Sequence, residues 1–253
     1  MTGEREVHLD PLSGISLLVR PMFGDTRLSQ ATGFIVAIGP QHYLATNSHV
    51  VTGRHADTGK VLAKSAAVPD HLQVVFHSKA GIGSWVVREV PLFDETGNHL
   101  WVEHPKGRKV DVVMVPIPLD PVATYYPMDL ALARADVLVG VAMPVSIIGF
   151  PLGLTAHDAW PIWKTGHIAS EPEIDVDNVP CFLVDATTRE GMSGSPVILR
   201  FWGGFPKRDG SRVLGGSVTS FLGIYSGRLL ADSEVGRVWR PEVLTQIAGT
   251  AGA

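Results

Sequence analysis

The chain is expected to be all-β, in two halves that each form an antiparallel barrel or sandwich. Three observations carry that expectation. Glycine, 27 residues, and proline, 18 residues, punctuate the sequence densely. The segments between them are short and rich in Val, Ile, Leu and aromatic side chains, which is the composition of short strands. Only one stretch, near the C-terminal end, has helical periodicity. With 253 residues, 45% of them hydrophobic, the chain has enough apolar surface for one large or two small cores.

In chain order, strands are expected at residues 15–20, 33–38 and 43–46, the third running into Asn47-Ser48-His49-Val50-Val51. Residues 72–77 follow. Residues 85–91 and 100–103 are expected to pair as a hairpin across Asp94-Glu95-Thr96-Gly97-Asn98, because Gly97-Asn98 suits a tight reversal. In residues 110–117, Val112, Val113 and Val115 are strand formers, and Pro116 and Pro118 end the run. Around residues 125–135 the pattern loosens, with Asp129 placed to cap a short helical or extended linker. The boundary is set there, giving domains 1–130 and 131–253. The second half continues with strands at 144–150, 162–169, 181–186, 195–200, 213–219 and 222–225. Pro241 suits a first helical turn, and Val243, Leu244 and Ile247 share one face of the final helix. The tail 249–253 is expected to fray.

A net charge of −4 and a pI near 6.2 give no electrostatic reason to expect nucleic acid or an anionic membrane as partner. Lys106 to Lys109 is the only tight basic group and reads as a solvated loop. The six tryptophans are spread out, as core and rim residues are, and do not form a stacking platform for nucleic acid. No run of about eighteen apolar residues exists, so no transmembrane helix is expected. The first ten residues are charged and lack the apolar segment of a signal peptide. The single cysteine, Cys181, has no partner for an internal disulfide, and its Pro-Cys-Phe-Leu-Val setting reads as a buried strand. Together these point to a reducing, cytoplasmic location. His99, Glu103 and His104 hint at a metal site. In a strand Glu103 and His104 face opposite sides, and no cysteine cluster accompanies them, so neither metal nor cofactor is expected.

The chemistry centres on Thr187-Thr188-Arg189-Glu190-Gly191-Met192-Ser193-Gly194-Ser195-Pro196-Val197. Gly191 and Gly194 have access to backbone angles that other residues reach only with strain. Successive N–H groups around Ser193 are then free to converge beside its hydroxyl, which is how an oxyanion hole is built. Alone, the same string is equally a turn entering a strand. A nucleophile needs a base, and His49 at the end of a strand, between buried neighbours, has a ring that titrates near neutrality. The base needs an orienting partner. Asp111 opens the apolar run Asp-Val-Val-Met-Val, where an unpaired carboxylate would be costly.

Three blocks, in this order, carry a resemblance. Thr32-Gly33-Phe34-Ile35 leads to Leu44-Ala45-Thr46-Asn47-Ser48-His49-Val50-Val51; Val110-Asp111-Val112-Val113 and Gly191-Met192-Ser193-Gly194-Ser195-Pro196-Val197 follow. They resemble the trypsin-like (chymotrypsin-fold) serine peptidases, and within them the bacterial branch of Deg/HtrA-like and glutamyl-endopeptidase-like enzymes, whose histidine motif reads T-N-x-H-V. His, Asp, Ser is that fold's order of triad members. The similarity runs from about Gly14 to Ile247. It implies two antiparallel six-stranded β-barrels with a short C-terminal helix, His49 and Asp111 on the first barrel and Ser193 on the second. It also implies Ser193 as nucleophile, His49 as general base and then acid, Asp111 as orienting acid, and the N–H groups of Gly191 and Ser193 as oxyanion hole.

Gly223-Ile224-Tyr225-Ser226-Gly227-Arg228 resembles the strand that pairs with the substrate backbone and walls the pocket for the P1 residue, the one preceding the scissile bond. Thr187 and Thr188 are then expected near the pocket base, with Tyr225, Ser226, Gly227 and Arg228 on the wall. The implied partner is a protein or peptide substrate. Thr187 supplies no carboxylate for a basic P1 residue, so a small, apolar or polar uncharged residue is expected, with Arg228 the one feature favouring an acidic one. Met192 stands where secreted trypsins carry the aspartate that receives a freed N-terminus, so activation by that route is not expected. Ser195 replaces a glycine of the trypsin motif. The reading is an active endopeptidase, its alternative a latent peptide-binding module of the same fold. Restraint is expected from a regulatory protein partner, acting on residues 80–109 or the last helix, or from substrate-induced ordering of the oxyanion loop.

Overall fold

The structure, a computed structural model, describes residues 8–230 and 232–251. Residues 1–7, which carry most of the charged N-terminal start, and the last two residues of the expected frayed tail lie outside the described residues.

In the first half the apolar stretches become β1 (Ser16–Phe23), β2 (Thr26–Arg27), β3 (Ala31–Ile38), β4 (Gln41–Thr46), β5 (His71–Ser78), β6 (Trp85–Pro91), β7 (Val102–Glu103), β8 (Val113–Ile117) and β9 (Ala123–Thr124). They form one nine-stranded sheet in the order β6-β5-β1-β3-β4-β8-β7, with β2 on β1 and β9 on β5. Three of the nine, β2, β7 and β9, are two-residue additions to six longer strands. Leu17 and Val19, two apart on β1, meet Ile35, Leu44, Val74 and Val115 in the core, as the two-residue side-chain period requires. Between β4 and β5 the chain makes the short helix α1 (Ser48–Thr52), which stops at Gly53 in the left-handed region.

Residues 125–143 connect the halves and include a 3-10 turn, Leu130–Arg134. Its first free N–H, on Ala131, is capped by the Asp129 carboxylate at 2.9 Å. The second half contains β10 (Pro144–Gly149), β11 (Ile162–Ile168), β12 (Cys181–Asp185), β13 (Pro196–Phe201), β14 (Gly204–Pro206), β15 (Arg212–Leu214), β16 (Val218–Arg228) and β17 (Val235–Trp239). Six of these close into a barrel, β10-β11-β12-β17-β16-β13, and β14 and β15 form a separate ribbon. The last element is α2 (Glu242–Ala251).

The two halves share a core. Phe34 and Met114 of the first meet Ile148, Ile198, Phe221 and Trp239 of the second, and Val243, Leu244 and Ile247 of α2 are completely buried against them. At the burial energies typical of such side chains, about 1.5–3 kcal/mol each, this seam is a major part of the stability. Helix α2 is also tied back to the first sheet, where His104 Nε2 donates to Gln246 Oε1 at 2.7 Å. None of the described helices is long and apolar enough to cross a membrane.

Three local expectations are corrected. Residues 85–91 and 100–103 do not pair, because β6 lies on β5 at one end of the sheet and β7 on β8 at the other. The reversal between them exists as a small closed loop: the Leu100 N–H donates to the Leu92 carbonyl and the Asp94 N–H to the Asn98 carbonyl, both at 2.9 Å. The Asp94 carboxylate collects Thr96 and Asn98 donors, Thr96 foremost, which holds its pKa down at about 2. Trp101 then buries itself in the sheet and carries the chain to the far edge. Residues 213–219 and 222–225 are not two strands: Gly215 and Gly216 break the first, and β16 runs unbroken for eleven residues. Strand β17 was not expected, since Val-Gly-Arg-Val-Trp is short and interrupted by a glycine and a charge.

Candidate active site

Helix α1 follows β4 directly, so His49 leaves the sheet at its end and faces the seam. Its neighbours Val50 and Val51 are buried, which fixes the turn that carries the ring. Asp111 lies two residues before β8, held between the fully buried Val110 and Val112. Three donors meet its carboxylate. The His49 main-chain N–H reaches Oδ1 at 2.9 Å, His49 Nδ1 reaches Oδ2 at 2.7 Å, and Ser226 Oγ donates to Oδ2 at 2.7 Å. Asn47 adds a bond from Nδ2 to the Asp111 carbonyl at 2.7 Å. A carboxylate only 1% exposed would be expensive if unpaired; here both oxygens are occupied.

Because Nδ1 faces a carboxylate it carries the ring hydrogen, leaving Nε2 as the acceptor on the cleft side. Burial pulls the His49 pKa down, but the charge and hydrogen bond of Asp111 outweigh it, and the ring titrates above its ordinary 6.5.

Ser193 sits in a loop whose shape is dictated by main-chain bonds. The Glu190 carbonyl accepts from the Leu152 N–H at 2.6 Å. A trans peptide unit points its C=O and N–H in opposite directions, so the Gly191 N–H faces away from Leu152. By the same rule the Ser193 N–H turns away from Ser195, whose own N–H donates to the Met192 carbonyl at 3.0 Å. Among the described residues, neither the Gly191 nor the Ser193 N–H has a protein acceptor. Gly191 (φ 95°) and Gly194 (φ 86°) occupy angles that favour glycine, and a Cβ there would collide with the Phe150 and Thr32 carbonyl oxygens respectively.

Thr32, from the first sheet, is the residue that grips this loop. Its hydroxyl donates to the Gly191 carbonyl at 2.8 Å and its N–H to the Ser193 carbonyl at 2.8 Å. The same hydroxyl accepts from the Phe150 N–H at 3.2 Å, and Thr46 Oγ1 holds the Thr32 carbonyl at 2.8 Å. The Gly194 N–H closes the far side on the Tyr225 carbonyl at 2.9 Å. Met192 is fully buried in the barrel, so the loop is anchored by hydrogen bonding and apolar packing. Ser195 Oγ is buried and makes no hydrogen bond within the described residues.

The family model of the trypsin-like peptidase domain matches residues 31–202, from the start of β3 to just beyond β13. The chain belongs to that family. It is an all-β serine endopeptidase by this membership, and the fold agrees with that of solved peptidases. The thermostable serine protease AL20 from an extremophilic microorganism is 12% identical, with TM-score 0.55 and coverage of 96% of this chain and 98% of that one. The serine endoprotease of Yersinia pestis is 15% identical, with TM-score 0.53 over 97% of this chain and 67% of that one. The Rv3671c protease of M. tuberculosis in its active form is 18% identical, with TM-score 0.52 over 94% and 81%. No curated protein matches the chain by sequence.

In this peptidase, His49, Asp111, Gly191, Ser193, Ser226, Gly227 and Arg228 line one cleft of about 630 Å³ between the halves. Ser193 Oγ and His49 share the cleft without a direct hydrogen bond between them. Thr187, Thr188 and Tyr225 do not line that cleft. Thr187 is exposed, while the Thr188 hydroxyl is buried against the Tyr225 hydroxyl at 2.5 Å. The Tyr225 ring fills the barrel interior, over Gly236, because strand alternation sends it inward; the bulge before Gly227 then turns Ser226 toward Asp111. His99, Glu103 and His104 each bond elsewhere, to the Trp101 carbonyl, the Trp101 indole and Gln246, and no group of three metal-ligating side chains converges among the described residues. Sequence reading missed Thr32 as a clamp, although Thr32-Gly33 was part of the resemblance, and it missed Arg237, which lies on the unexpected strand β17.

Proposed function

We propose that this peptidase hydrolyses peptide bonds with Ser193 as nucleophile, His49 as general base and then acid, and Asp111 as the group that orients it. The observation that carries the reading is the Asp111 carboxylate taking both the main-chain and the ring N–H of His49, which sets the tautomer the base needs. Ser193 Oγ attacks the scissile carbonyl while His49 Nε2 takes its proton. The Gly191 and Ser193 N–H groups receive the oxyanion. Collapse expels the amine, protonated by His49, and leaves an acyl-enzyme that water releases by the same route.

Beyond Ile224, strand β16 no longer pairs with β13, so Ser226 to Arg228 keep β17 on one side and offer the other edge to an extended peptide. A Cβ at Gly227 would come within 3.9 Å of Ser193 Oγ, which leaves room for that peptide beside the nucleophile. The buried Thr188–Tyr225 pair takes up space inside the barrel just ahead of the Glu190–Ser193 loop in the chain, which favours a small uncharged residue before the scissile bond. Regulation belongs to the same reading: Ser193 and His49 are not hydrogen-bonded to each other, and substrate or a regulatory protein partner would draw them together. A cytoplasmic location is also proposed, resting on the lone, buried Cys181, whose thiol burial pushes up to about 11.

A fluorophosphonate probe tests the site. Labelling of the wild type that disappears in Ser193→Ala is the expected result. No labelling under any condition would leave a peptide-binding module without chemistry, and labelling that survives the substitution would move the nucleophile elsewhere.

A further inference from the structure

Arginines line the cleft without a role in the chemistry above. Arg237 is the register partner of Gly227 across β16 and β17. Directly opposed residues of an antiparallel pair project to the same face of the sheet. Gly227 has no side chain, and the direction its Cβ would take leads to Ser193 Oγ. The Arg237 side chain therefore rises on the face that carries the nucleophile, beside the space Gly227 leaves open, and it lines the same cleft.

Its guanidinium is poorly satisfied. It lies 5.6 Å from the centre of the Trp239 ring, which holds it in place. The carboxylates that face it, Asp57 and Asp177, stand at 3.6 and 3.8 Å, beyond hydrogen-bond reach, and are 64% and 78% exposed. Arg237 Nε is buried and makes no hydrogen bond. A desolvated guanidinium with unmade donors gains most from a carboxylate that docks on it in the plane of the fork. Arg228, the next residue along the open edge, also lines the cleft and has no acidic partner among the described residues.

We propose that Arg237, assisted by Arg228, forms a carboxylate-binding subsite, so that the peptidase selects substrates with an aspartate or glutamate near the scissile bond, at a position other than the small uncharged one directly before it. The proposal rests on the assignment of Ser193 and of the β16 edge given above. A peptide carboxylate fits better than a free anion, because the guanidinium opens beside the strand edge where the substrate backbone would lie.

The test is a set of fluorogenic peptides sharing one cleavable core, with Glu, Gln or Lys placed in turn at each position around the scissile bond. At one position Glu is expected to exceed Gln in kcat/KM by on the order of ten- to a hundred-fold, the value of one charge-assisted bond pair, with Lys poorest. In Arg237→Gln that ratio falls toward one, Arg237→Lys keeps part of it, and Arg228→Gln lowers it less. Because each ratio is internal to one variant, loss of folded protein does not imitate the effect. Binding of the same peptides to Ser193→Ala, read by fluorescence anisotropy, gives the preference without turnover. A Glu-to-Gln ratio near one at every position in the wild type, or a ratio that persists in Arg237→Gln, overturns the subsite. If the fluorophosphonate labels Ser193 while the ratio is flat, the subsite fails and the nucleophile stands. If labelling fails while anisotropy still favours Glu, the subsite stands and the chemistry fails.

Discussion

His49 and Ser193 are held in contrasting ways. His49, the proposed base, is set by its main-chain and ring N–H bonds to one buried carboxylate, to which Ser226 also donates. The loop of Ser193, the proposed nucleophile, is set through its own main-chain groups, gripped by Thr32, Leu152 and Tyr225. The first arrangement governs charge and tautomer; the second governs the direction of two N–H groups. Damage to one should therefore appear in the chemistry of proton transfer, and damage to the other in stabilisation of the oxyanion.

The largest effect separates the two at once. Asp111→Asn preserves size but presents the wrong group to Nδ1, and kcat is expected to fall by about four orders of magnitude, with the fold kept. Steady-state kinetics with a calorimetric melt checks this; a loss below tenfold would remove Asp111 from the proposed role. Thr32→Val deletes the hydroxyl that holds the Gly191 carbonyl. Since loss of a whole oxyanion donor costs about a hundred- to a thousand-fold, misdirecting one is expected to lower kcat by roughly ten- to a hundred-fold, with KM little changed. Thr32→Ser should recover most of it. A change confined to KM would contradict the clamp.

The mildest test is pH. The His49 pKa is raised above 6.5 and the base must be neutral, so kcat/KM falls as pH drops through a midpoint above 6.5. The linked stability has the opposite trend. Protonated His49 beside Asp111 stabilises the fold below about 6.5, and this contribution fades as pH rises through the folded pKa. The acid limb should survive in Thr32→Val and shift down in Asp111→Asn. A flat profile from about pH 5 to 8 would exclude His49 as base.

The three blocks around His49, Asp111 and Ser193 were legible because each announces itself locally: a histidine after a strand, a carboxylate before a valine run, a serine between glycines. The role of Thr32 was not, since its acceptor on Gly191 lies 159 residues away and is a main-chain oxygen that every residue possesses. The same limit explains the hairpin. Asp94 and Gly97 encode a reversal, but nothing within it says that β6 is already taken by β5. Tyr225 is expected on the strand it occupies, but its burial against Thr188 depends on the barrel interior closing around it, which no local stretch of sequence shows. Arg237 looked like an interruption in a short apolar run, and only the pairing with Gly227 gives it a direction.

The grip of Thr32 on the Ser193 loop also bears on how such a chain is made safely. Thr32 is synthesised early and the serine loop late, and Ser226, which completes the bonds to Asp111, later still. A chain with one half folded holds a serine without an aligned donor pair and a histidine with an incompletely bonded carboxylate. If Ser193, His49 and Asp111 act as proposed, hydrolytic capacity requires both halves to be docked, and folding then acts as a safety catch on a hydrolase.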